Sequence, residues 1–189
     1  MKKNYPLYET TVFEDFRIMV ENVAKKYPNN AAIAYKDNPH DKETKEITYL
    51  QAKNDIRDLG TAMVELGCRE KHAAIVGPSS YGWIYTYFAL MAIGSVTVPV
   101  DKEMPAADIA GIVETAECEY VFYGLVALDK INTIRESNKN IKSFVCIDGD
   151  PKVGDIVYVD VRGKKLKAEV VAKHMIQNDP PYGKAVIVK

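Results

Sequence analysis

Few residues in this chain are of a type and spacing that could do chemistry. Gly77-Pro78-Ser79-Ser80 joins a short apolar run to a helix-like segment. A glycine turn that feeds a helix start can offer backbone N–H groups to a phosphate. The stretch has neither the spaced glycines and lysine of a Walker loop nor the GxGxxG of a dinucleotide site. The simpler expectation is a turn in which Ser79 or Ser80 caps the next helix. Asp101-Lys102-Glu103 follows the β-branched run SVTVPV. Charge at the end of a parallel strand sits where ligands of open α/β sheets gather. The run Asp101-Lys102-Glu103 is therefore a candidate for binding at most, and a solvated loop is the alternative. No base, nucleophile or metal site accompanies it, so neither a catalytic nor a metal-binding residue is assigned.

The other reactive side chains are isolated. His40 lies in a charged loop, His72 at a strand start and His174 in the tail, none at a catalytic or metal spacing. Cys68, Cys118 and Cys146 are odd in number, far apart and set in apolar patterns. They read as reduced thiols in or near the core of a cytoplasmic protein. Asp148-Gly149-Asp150 is a fragment of a calcium loop without the remainder, and a tight turn explains it better. Tyr81, Trp83, Tyr85, Tyr87 and Phe88 are rich enough in rings to stack bases. Without a basic stripe, a core helix is the stronger reading.

The elements that must position these residues follow from periodicity. Thr11 and Glu14 fit a capping box ahead of a helix carrying Phe13, Phe16, Val20, Val23 and Tyr27. AAIAY and EITY form a hairpin, and Thr48 with Gln51 caps a helix that Gly67 stops. Four apolar strands, beginning with AAIV, SVTVPV, EYVFY and KSFVCI, then alternate with three helices at a period of about 23 residues. That is the grammar of βαβ crossovers and a largely parallel sheet covered on both faces. At Asp148-Gly149-Asp150-Pro151 it changes. DIVYVDV and KLKAEVV alternate as a hairpin around RGKK, and AVIV is a candidate third strand. The expected fold is α/β over residues 1–150, followed by a small β module over 151–189.

Bulk properties exclude several classes. With 25 basic and 26 acidic residues among 189, the formal net charge is −1, which argues against a dedicated nucleic-acid binder. No apolar run approaches the roughly 20 residues of a membrane span. MKKNYPLYETT has no apolar region of the kind a secretory signal needs.

Several segments together resemble a known family. MKKNYPLYETT, EITYLQAKNDIRDLGTAMVELG, AAIVGPSSYGW and above all LMAIGSVTVPVDKEMP are similar to the N-terminal part of AMP-forming acyl-CoA ligases. Within that adenylate-forming superfamily the long-chain fatty acid–CoA ligase branch fits best, over about residues 1–150. The resemblance implies the N-terminal subdomain of the adenylate-forming fold. It also implies a parent reaction in which ATP activates a fatty acid as acyl-adenylate, pyrophosphate leaves, and CoA takes the acyl group. In the family, a Ser/Thr/Gly-rich loop with lysine and Mg²⁺ neutralises the phosphates. That loop, the ribose-binding acid and the lysine-bearing lid come later in the family's chain and have no counterpart in this sequence. The resemblance puts Asp101 and Lys102 on the CoA side of the cleft, with Lys102 as a point charge for a CoA phosphate.

VGDIVYVDVRGKKLKAEVV resembles the C-terminal barrel of glycine-cleavage aminomethyltransferases over about 20 residues. An unrelated β module is the alternative. The expectation is thus a truncated ligase scaffold that is inactive alone and is completed by a second ligase chain or by self-association. A module that binds CoA or a nucleotide without turnover, an assembly protein and a folate-linked fragment are the alternatives.

Overall fold

The computed structural model describes residues 11–36 and 40–148 with their side chains, and the backbone of 156–161, 164–174 and 182–187. The chain divides into two compact units, Met1–Ile147 and Asp148–Lys189.

The first unit opens with helix α1, Phe16–Lys26, and the hairpin β1, Ala31–Tyr35, with β2, Lys45–Thr48. Helix α2, Tyr49–Glu65, follows directly. Its N-cap is Thr48, whose Oγ1 accepts from the Gln51 amide at 3.2 Å, as the spacing predicts. The expected cap of α1 is corrected. Asp15, not Thr11, accepts from the Ile18 amide at 2.8 Å, because the helix starts only at Phe16. Gly67 ends the α2 turn at φ +89°, in the left-handed region that glycine enters without strain. Tyr120 Oη donates to the Leu66 carbonyl at 3.1 Å and so satisfies one of the helix's last acceptors.

Then come β3, His72–Val76; α3, Tyr81–Ala92; β4, Val96–Val100; α4, Ala106–Thr115; β5, Tyr120–Tyr123; α5, Leu128–Ser137; and β6, Ser143–Cys146. The strands form one parallel sheet in the order β4-β3-β5-β6. Its strands are apolar on both faces because both are covered. Ala73, Ile75, Tyr120 and Phe122 pack with α2 and α3 on one face. Ala74, Val76, Val121 and Tyr123 pack with α4 and α5 on the other. The alternation splits one sheet between two cores.

The amino edge is tied by charge. Glu119, just before β5, holds Lys71 at 3.1 Å through one oxygen and Lys142 through the other, linking the starts of β3, β5 and β6. Strand β4 is an edge. The Val96 amide donates to the Lys71 carbonyl at 3.0 Å, so the residues alternating with it, Thr97 and Pro99, turn their nitrogens outward. Proline is tolerated there because it has no donor to lose.

Two cysteines match expectation and one does not. Cys68 and Cys118 are buried, while Cys146 is exposed at the end of edge strand β6. Among the described residues no helix is long and apolar enough to cross a membrane.

In the second unit β7, Ile156–Val161, β8, Lys164–His174, and β9, Tyr182–Ile187, form an antiparallel sheet in that order. The hairpin and third strand read from the sequence are both present. The segments MKKNYPLYET, Gly149-Asp150-Pro151 and most of QNDPPYG lie outside the described residues.

Candidate functional site

The strand order fixes where a site belongs. β3 is followed by α3 on one face, while its neighbour β5 is followed by α5 on the other. The two connections part at the carboxyl ends of adjacent strands, the position at which open α/β sheets bind ligands. Here that crevice lies between Gly77 and Gly124.

Backbone fills it. The Gly124 amide donates to the Val76 carbonyl at 2.8 Å, and the Ile147 amide to Tyr123 at 2.9 Å, so the ladder runs one residue past each strand. A Cβ on Gly77 would stand 3.0 Å from the Gly124 nitrogen. A Cβ on Gly82, in the first turn of α3, would stand 2.4 Å from the Ile147 carbonyl oxygen. These glycines serve close approach of backbone to backbone. Ser80 is the cap: its Oγ accepts from the Trp83 amide at 3.1 Å. GPSS is therefore a turn and cap, the simpler of its two readings. Gly124 and Gly82 were missed from sequence, although a glycine directly after the apolar run YVFY was a visible signal.

Asp101 and Lys102 stand one strand away, beyond the end of β4. Asp101 Oδ1 accepts from the Glu103 amide at 2.9 Å and turns the chain. The Lys102 ammonium pairs with the Glu103 carboxylate. Its hydrogen bond holds Lys102 above the usual lysine range and Glu103 below the usual carboxylate range. Lys130 on α5, which periodicity gave no reason to select, donates from Nζ to the Lys102 carbonyl at 2.6 Å. The carboxyl edge thus carries two ammonium groups and two carboxylates. Such a set can meet an anion with a point charge.

The remaining candidates are structural. His72 lies at the opposite edge of the sheet, its Nδ1 2.6 Å from the Ala116 carbonyl. Burial pushes the Cys68 thiol up to about 12, with Glu119 adding to the effect, and the Cys118 thiol up to about 11. Both stay protonated at neutral pH and are poor nucleophiles. No group of three or more His, Cys, Asp or Glu among the described residues is arranged to hold a metal ion. With Asp101 committed to a turn and Glu103 to Lys102, these residues do not fit Mg²⁺, and no step through it is derived. The ring-bearing face of α3 is half-buried rather than enclosed. Tyr81 stacks on Tyr85 at 5.3 Å and Trp83 on Tyr87 at 5.5 Å between ring centroids.

A parallel sheet wound on both faces, with its loops gathered at the carboxyl edge, defines a doubly wound α/β domain. A family described as AMP-binding enzyme matches residues 20–181, and the chain belongs to it. Long-chain-fatty-acid–CoA ligase FadD15 of Mycobacterium bovis is 26% identical over 78 residues, 41% of this chain and 13% of the relative. A long-chain-fatty-acid–CoA ligase (FadD1) of Archaeoglobus fulgidus superposes with TM-score 0.66 at 13% identity, over 87% of this chain and 37% of that one. The anthranilate CoA ligase AuaEII, solved with anthranoyl-AMP, superposes with TM-score 0.65 at 16% identity, over 85% of this chain and 34% of that one. The fold is that of the N-terminal subdomain of adenylate-forming ligases. The chain spans well under half the length of each of these proteins.

Proposed function

We propose that this chain is the N-terminal scaffold of a fatty acid–CoA ligase and does not form acyl-adenylate by itself. The parent reaction joins a fatty acid to AMP at the expense of ATP, then transfers the acyl group to CoA. One observation carries the reading: the family match runs across 162 of 189 residues. The inactivity half rests on charge. A triphosphate under attack must have its developing negative charge neutralised, which in this family falls to a lysine-bearing loop and Mg²⁺. Neither the GPSS turn nor the Asp101–Glu103 turn supplies that.

In this reading Asp101 and Lys102 border the CoA side of the assembled cleft. Lys102 offers its ammonium to a CoA phosphate once Glu103 releases it. The missing machinery comes from a complementing ligase chain or a second copy, in the cytoplasm. The aminomethyltransferase likeness of 151–189 rests on sequence alone, and the ligase family match already extends to residue 181.

Exchange of labelled pyrophosphate into ATP, measured on the purified chain with palmitate and magnesium, is expected to stay at background. Fatty-acid-dependent exchange well above it overturns the inactivity claim. Calorimetry with CoA tests the scaffold's own site. Weak heat that Lys102→Ala abolishes supports it, and heat unchanged by that substitution removes Lys102 from the reading.

A further inference from the structure

Two half-open hollows of the first unit lie away from the carboxyl edge, among α1, α2 and α3. An inner cavity of about 150 Å³ is walled by apolar side chains, among them Phe16, Val23, Ile33, Ala52, Ile84 and Phe88. An outer cavity of about 190 Å³ opens beside it, with Gly60, Val64 and Ile93 in its floor and Arg17, Glu21 and Arg57 at its rim. Val20, Lys53 and Ile56 belong to both walls.

The charges at that junction are unequal. Arg57 is engaged by Asp58 at 2.9 Å and Arg17 by Asp15 at 3.7 Å. Lys53 is half-buried and, among the described residues, has no ion-pair partner. Glu21 is the one carboxylate in the lining. A lysine stem lying along apolar walls with an uncommitted ammonium suits a ligand with an apolar body and a negative end. An apolar cavity of about 150 Å³ is of a size to take a benzene-sized group.

We propose that the paired cavities bind a small amphipathic monocarboxylate, its ring-sized apolar part in the inner cavity and its carboxylate on Lys53. The site is separate from the carboxyl edge and does not depend on the ligase reading. The occupant is set by charge complementarity. A neutral molecule leaves Lys53 unanswered, and a cation meets Lys53 with only Glu21 to set against it, Arg17 and Arg57 being paired with Asp15 and Asp58.

The probe is 3-phenylpropionate, with 3-phenylpropanol as its neutral counterpart, titrated into the full chain while the methyl resonances of Ile33 and Ile56 are followed. Millimolar binding that shifts both methyls is expected, with the alcohol weaker. Lys53→Gln should weaken the carboxylate about fivefold, the worth of a partly screened ion pair, without lowering the melting temperature. Glu21→Gln should strengthen it. Glu21 is exposed and Lys53 half-buried at the cavity wall, and glutamine at either position keeps a polar, helix-compatible side chain, so an unchanged melting temperature confirms that the comparison holds. The proposal is overturned if neither methyl shifts, if the alcohol binds as well as the acid, or if Lys53→Gln leaves the affinity unchanged.

Discussion

Gly77 and Gly124 close the crevice between β3 and β5 by backbone contact. A side-chain carbon on Gly77 would come within 3.0 Å of the Gly124 nitrogen. The amide beside it is already committed, donating to Val76. Two ends of the sheet are thus locked where a ligand-binding fold of this type would leave an opening.

Gly77→Ala should therefore destabilise the chain by roughly 1–3 kcal/mol, the cost of overpacking against atoms that cannot rotate away. Gly82→Ala, aimed at the Ile147 carbonyl at 2.4 Å, should cost more than Gly77→Ala. Urea midpoints at constant m-value measure both, and equality with the parent would contradict the packing described.

Gly111→Ala should do the reverse. It lies within α4 with nothing within 4 Å of the position its Cβ would take. Removing glycine's unfolded-state freedom should add roughly 0.5–1 kcal/mol. A loss of stability in the same urea titration would show hidden crowding on that face.

Glu119 predicts a pH dependence. Hydrogen bonds from Lys142 and Lys71 hold its carboxyl below the usual range. A carboxylate with a lowered folded pKa stabilises above its unfolded value, about 4.3, and that contribution fades as pH falls through the folded value. Glu119→Gln should thus lower the melting temperature at pH 7, with the gap to the parent narrowing below about pH 4. Added salt should narrow it too, because the carboxylate is partly open to solvent. A gap that is constant across pH would assign the loss to packing.

Thiol chemistry should separate the cysteines. With a disulfide reagent at pH 8, Cys146 should react promptly in the folded chain, while Cys68 and Cys118 wait for opening. All three of the chain's cysteines should react at once in denaturant. Prompt modification of two or more in native buffer would contradict the burial of Cys68 or Cys118.

Much of the fold was legible because local signals agreed. The Thr48 cap, the Gly67 stop and the strand–helix rhythm from His72 to Cys146 each rest on neighbours in the chain, so spacing alone reveals them. The cap of α1 was misread because Thr11 and Asp15 both carry acceptors, and only the helix's first turn decides between them. Cys146 looked apolar by its company in KSFVCI, but β6 is an edge strand, and strand order is not a local property. The same holds for the site. Asp101 and Lys102 were visible as charge following an apolar run, whereas Lys130, 28 positions on, reaches Lys102 only through the crossover of α4 and β5. The Lys53 cavities depend on three helices meeting, which no single stretch encodes.

The proline in the outermost strand bears on how this molecule keeps its own company. Along β4 only Thr97 offers an outward hydrogen to a newcomer, since Pro99 has none to give. A stranger arriving on that flank finds too few rungs to climb. Lateral growth of the sheet on that side, whether into a dimer or a fibril, is thereby disfavoured.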